Sequence, residues 1–184
     1  MKTTHAITKT LAFLSVALLA SGTLRASEPA QLSLTPEIAI FDRTDRIEGI
    51  TLGIWGENPQ SALALGVVNG STEKSAGLSC AFVLNYAYNY TGIQWAPINY
   101  VTGDFLGWQL GFVNYTAGTM KGLQSGVVNY AGKLTGLQLG FVNYAETAKT
   151  GVQIGIVNLL PENAWFDDLP DGLAPGMILI NWRF

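Results

Sequence analysis

Histidine is nearly absent from this sequence, and its absence removes the most chemistry. The single residue, His5, lies in an N-terminal leader, so the chain beyond it has no Ser-His or Cys-His nucleophile pair and no imidazole metal ligand. Cysteine is equally scarce. Cys80 stands alone, which excludes an internal disulfide; we read it as a small apolar side chain at a buried or lipid-facing strand position rather than a link between chains. Charge is thin as well, at 12% of residues against about 25% in an ordinary domain. A net charge of −3 with ten basic residues gives no ground for a nucleic-acid partner. No apolar run after the leader reaches the roughly twenty residues of a membrane helix. A chain that is 48% apolar must then hide its surface in a core or show it to lipid as strands.

The leader has the layout of a secretory signal. Lys2 and Lys9 precede the apolar run Leu11 to Ala20, and small residues follow. Residues 1–26 are assigned to it and residues 27–184 to one repeat-built domain. The mature chain is therefore expected to leave the cytoplasm.

What the domain does have is glycine and repetition. Gly136-Leu137-Gln138-Leu139-Gly140-Phe141-Val142-Asn143 is echoed by Gly151-Val152-Gln153-Ile154-Gly155-Ile156-Val157-Asn158. Related copies centre on Gly53, Gly66, Ala81, Ala96, Gly111 and Gly126, with a spacing near fifteen residues. Within a copy the alternation has period two, which is strand patterning. Leu137, Leu139 and Phe141 fall on one face; Gln138, Gly140 and Val142 fall on the other. By the same parity Tyr115, Tyr130 and Tyr144 point inward.

Two architectures stack such copies. In a parallel solenoid each copy is one coil; in an antiparallel meander each copy is one strand. Ten extended residues cover roughly 33 Å, and the remaining five cannot bring a straight strand back to start a parallel neighbour. A solenoid then requires each copy to bend sharply at its central glycine into a three-sided coil. The meander needs no bend and is the expectation: an up-and-down β-barrel of about ten strands, with the three-sided β-solenoid as the alternative. In the barrel, Gln94, Gln109, Gln124, Gln138 and Gln153 face the lumen.

The C-terminus adds a direction. In GMILINWRF, Ile178, Ile180, Trp182 and Phe184 alternate with Leu179, Asn181 and Arg183. This resembles the assembly signal that ends bacterial outer-membrane β-barrels, and implies insertion by the barrel-assembly machinery and contact with outer-membrane lipid. The repeat itself, G-h-Q-h-G-h-h-N with h apolar, resembles a family of bacterial surface-repeat proteins. That resemblance implies a cell-surface or outer-membrane location and carries no activity with it.

Carboxylates are the remaining candidates for chemistry. Glu162, Asp167, Asp168 and Asp171 share the long connection from Leu160 to Pro175. Clustered carboxylates suit hard cations, but no spaced loop motif accompanies them, and a solvated surface loop is preferred. The sequence thus predicts no catalytic residue, no metal and no cofactor. It predicts a non-enzymatic outer-membrane barrel with a structural or surface-interaction role. The alternatives are a narrow channel for water or small solutes and a secreted soluble β-solenoid binding module. A homo-oligomer is compatible with each.

Overall fold

The computed structural model describes residues 27–184; the signal assigned to residues 1–26 lies outside the described residues. Among the described residues nine strands follow one another: β1 (Glu28–Thr35), β2 (Ile38–Ala39), β3 (Ile47–Asn58), β4 (Gln60–Trp95), β5 (Ile98–Val101), β6 (Phe105–Leu110), β7 (Val113–Ser125), β8 (Val128–Leu159) and β9 (Gly176–Arg183). Two of them, β4 and β8, are longer than one repeat and wind through more than a full turn.

Successive copies lie side by side in the same direction. Leu123 pairs with Leu137 and Gln124 with Gln138; Asn114 pairs with Asn129 and Tyr115 with Tyr130, all in parallel. The same holds between β4 and β6, where Gln94 faces Gln109, and between β3 and β4, where Gly53 faces Gly66. The chain is a β-solenoid of about seven coils. The barrel expectation is overturned, and with it the transmembrane strands and the channel built on the same architecture. Antiparallel pairing is confined, among the described residues, to the two ends: β2 folds back on β1, and β9 runs against the last coil of β8.

The barrel expectation fails on its assumption of straight strands. Each coil turns after a few residues. One turn falls at the first glycine of the repeat: Gly77, Gly92, Gly107, Gly122 and Gly136 all have φ between 122° and 137°, a region closed to ordinary side chains. A methyl group on Gly122 would also strike the carbonyl of Gly107 in the preceding coil. A second turn falls at Gly111–Phe112 and Gly126–Val127, and at Ala96–Pro97 between β4 and β5, where proline suits a position outside the ladder. A third lies near Ala117–Gly118, where the register between β7 and β8 shifts.

These turns reset the alternation. Gln138 is buried, but Val142 is exposed rather than sharing its face, because Phe141 and Val142 both point outward around the corner. The reset also carries Tyr115, Tyr130 and Tyr144 to the outer surface. They stack on one another, with ring centroids 4.6 Å apart for Tyr115–Tyr130 and 5.5 Å for Tyr130–Tyr144.

The interior is narrow and divided by chemistry. One side supplies an apolar column that tapers through Tyr90, Phe105, Met120 and Leu134, packed against Ala87, Val101, Ala131 and Ala145. The other two sides supply amides. The repeat glutamines Gln94, Gln109, Gln124, Gln138 and Gln153 are fully buried at 0% exposure, as are the repeat-closing asparagines from Asn85 to Asn158.

Candidate interaction surface

Buried amides are costly unless bonded, since each unpaired group loses about 1–3 kcal/mol. The fold meets this with two ladders. Gln124 Nε2 donates to Gln109 Oε1 at 2.8 Å, and Gln138 Nε2 donates to Gln124 Oε1 at 2.7 Å. Second protons go to backbone carbonyls, as from Gln138 to Tyr144 O at 3.2 Å. Asparagines do the same: Asn114 Nδ2 donates to Asn129 Oδ1 at 2.9 Å and to Ser125 O at 3.0 Å. The glutamines expected to face a lumen therefore do point inward, but onto each other, and they fill the space a lumen would occupy. At the two ends of their ladder, Gln94 Nε2 and Gln153 Oε1 lack a protein partner.

With the amides inside, the bulky apolar residues stand outside. Two of the three sides carry them. One bears Trp108, Leu123 and Leu137, with Trp95, Leu139 and Ile154 alongside. The other bears Ile98, Val113, Val128, Val142 and Val157 beside the tyrosine stack. At the corner between them Phe82, Phe112 and Phe141 project with exposures of 80%, 66% and 59%.

Charge is excluded from this region. Residues 93–101, 108–116, 123–131, 137–145 and 152–160 contain no Asp, Glu, Lys or Arg. The third side and its turns hold the charges instead: Lys74, Asp104, Lys121, Lys133, Glu146 and Lys149. A shallow hollow of about 410 Å³ there is lined by Lys74, Asn89, Asp104 and Lys121 over the edges of Tyr90 and Phe105. Asn89 and Asp104 spend their side chains on backbone amides of the next coil, at Asp104 N and Thr119 N.

Matching against protein-family models, curated proteins and solved structures finds no relative of this chain.

The remaining residues singled out in the sequence occupy the C-terminal end. Strand β9 seals the last coil, with Ile180 opposite Ile154 and Asn181 opposite Gln153. Ile178, Leu179 and Ile180 are all exposed, because Leu179 takes φ 68° at the corner and breaks the expected alternation. Trp182 Nε1 donates to Pro170 O at 2.9 Å, and Phe184 is exposed. The acidic loop folds over this end as a cap. Asp168 approaches Arg183 at 3.9 Å, the Glu162 carbonyl accepts from Arg183 at 3.3 Å, and the Asp171 carbonyl accepts from Phe184 N at 2.7 Å. Asp167 is exposed. Among the described residues no group of three or more acidic, cysteine or histidine side chains is placed to hold a metal ion.

The opposite end is capped by charge. Arg43 reaches Glu57 at 2.6 Å and Glu37 at 3.3 Å; the bond to Glu57 chiefly raises the Arg43 pKa further. Tyr86 donates to Glu57 and accepts from Trp55 Nε1 at 3.0 Å; burial, then the bond to Glu57, drives its pKa up. Tyr130 donates to Glu146, and that bond chiefly pushes its pKa up to about 12. Cys80 is half-buried and its thiol is raised by burial.

Proposed function

We propose that this chain is an exported, non-catalytic interaction module of the bacterial cell envelope, which docks through its two apolar sides and the phenylalanine corner between them. One observation carries the proposal. A continuous belt of uncharged, largely apolar side chains runs along the coils on the outside, while the amides of the repeat are spent inside and the charges are confined to the third side and the two ends. The solenoid rises about 4.8 Å per coil, so seven coils give a belt roughly 33 Å long. With two sides of about four residues each, it covers on the order of 800 Å², above the ~300–600 Å² of the largest apolar patch on a typical monomer.

The fold fits the alternative of a β-solenoid binding module, but its Asn and Gln ladders are buried and bonded and do not meet a ligand. Outward tyrosines and valines replace them as the repeated surface. A non-catalytic role is supported by the buried amides, which bond to one another and leave no amide of the repeat facing a ligand.

The test is the behaviour of the exported chain once detergent is removed. The wild-type protein is expected to self-associate or to retain bound detergent, and a variant with Phe82→Ser, Phe112→Ser and Phe141→Ser to stay monodisperse. A wild-type chain that is monomeric, detergent-free and indistinguishable from the variant would refute the proposal.

A further inference from the structure

The belt has a shape as well as a polarity, and its shape selects among occupants. The valine–tyrosine side and the tryptophan–leucine side meet at a convex edge. A rigid protein partner, a second copy included, lies flat against one side and leaves the other in water. Only a medium that deforms around the edge covers both at once.

Register points the same way. Each coil offers nearly the same residues as the one before, so Val113, Val128 and Val142 are interchangeable to a partner sliding along them. Such a ladder specifies no unique alignment for a protein, whereas a fluid phase needs none. The backbone is also prepared for an apolar environment. Along the coils each strand is hydrogen-bonded to a neighbour on both sides, and unsatisfied backbone groups are what hydrocarbon excludes. On the two apolar sides the polar side-chain groups are the tyrosine hydroxyls and Ser125; the charges are at the two capped ends and on the third side.

We propose that the occupant is a lipid surface, with the solenoid lying in the interface, its Phe82–Phe112–Phe141 edge turned toward the acyl chains and the Lys121–Lys133 side in water. This rests on the interaction-module reading above and names its partner. Amphipathic helices that lie in the interface bury an apolar face about 5–10 Å into the headgroup and acyl boundary, and the phenylalanine edge would enter to a similar depth. Trp95 and Trp108 lie on the immersed side, which suits an indole at that depth. Because the stretches that form the edge carry no basic residue, attraction to anionic headgroups contributes little.

The experiment is flotation of the exported chain with phosphatidylcholine vesicles, repeated with vesicles containing anionic phosphatidylglycerol, alongside a mass measurement without vesicles. The wild type is expected to float with both, at low and high salt alike. The Phe82→Ser, Phe112→Ser, Phe141→Ser variant is expected to lose at least about tenfold in partitioning, and Lys121→Ala with Lys133→Ala to change nothing. Circular dichroism of each variant confirms that the solenoid persists. Flotation unaltered in the phenylalanine variant overturns the lipid assignment. So does a wild type that stays below the vesicles but doubles in mass, with the phenylalanine variant monomeric; the belt would then dock a second copy and the interaction-module reading would stand. A wild type that neither floats nor associates overturns both.

Discussion

Gln124 donates one coil backward to Gln109 at 2.8 Å, whereas Asn114 donates one coil forward to Asn129 at 2.9 Å. The two amide ladders thus run with opposite polarity through the same narrow interior, and their dipoles oppose rather than add. Each rung is bonded to the rung before and the rung after it, so the interior is a chain of mutual dependence.

Breaking one rung is therefore expected to cost more than one hydrogen bond. Asn129→Leu removes the donations to Asn143 Oδ1 and Leu139 O and strands the proton from Asn114. A loss of about 2–4 kcal/mol is expected, from a penalty of about 1–3 kcal/mol for each buried group left unpaired. Gln124→Leu is expected to fall in the same range. Urea denaturation read by circular dichroism checks both; a loss below about 1 kcal/mol in both would show that the ladders do not stabilise the fold.

The corner glycines make a second prediction. Gly122 has φ 126°, and an added methyl group meets the Gly107 carbonyl. Gly122→Ala carries both strain and a collision, and is expected to destabilise by about 1–3 kcal/mol or more. At Gly172, in the C-terminal cap, an added methyl group meets only side-chain atoms, the nearest being Asn163 Oδ1 at 3.3 Å. That amide is buried and bonded to Trp182 O and Arg183, so it yields only in part, and Gly172→Ala is expected to cost about 1 kcal/mol or less, below Gly122→Ala. The comparison of the two midpoints is the check.

Tyrosine ionisation gives a third. Tyr130 is held at about 12 against an ordinary 10.0, first by its hydrogen bond to Glu146. The folded state keeps this proton where the unfolded chain loses it. The contribution is thus complete below pH 10 and disappears as pH rises through about 12. Ultraviolet titration of the phenolates should show Tyr130 ionising late, together with Tyr86 and Tyr90, which burial also raises. Glu146→Gln should bring the Tyr130 step down; an unchanged titration curve would contradict the assignment.

Much of this arrangement is legible in the sequence, and the part that is not has a definite physical cause. Period-two alternation puts Leu137 and Leu139 outside and Gln138 inside, as observed. Strand direction cannot be read from alternation, which is identical for parallel and antiparallel neighbours. A signal is nevertheless present. Gln138 and Asn143 are five residues apart, an odd spacing that puts them on opposite faces of a straight strand, yet both recur from copy to copy as core residues do. Only a corner brings both inward, and the adjacent apolar pair Phe141-Val142 marks where it lies. The same corner explains why straight-strand parity sends Tyr144 inside while the fold holds it outside. At the C-terminus, the alternation of Ile178, Ile180, Trp182 and Phe184 that resembles a barrel signal belongs to an end strand whose regularity breaks at Leu179.

The most direct test of the central claim is a disulfide between Lys121→Cys and Thr135→Cys in a chain that also carries Cys80→Ser. These two residues are register partners on adjacent parallel coils, within the ~4.4–6.8 Å between Cα atoms that a disulfide requires. Near-complete intramolecular oxidation without loss of the strand spectrum is the predicted result. In an antiparallel meander the same two residues begin successive strands at opposite ends, roughly 30 Å apart, and a failure to form the bond in the folded protein would contradict the solenoid.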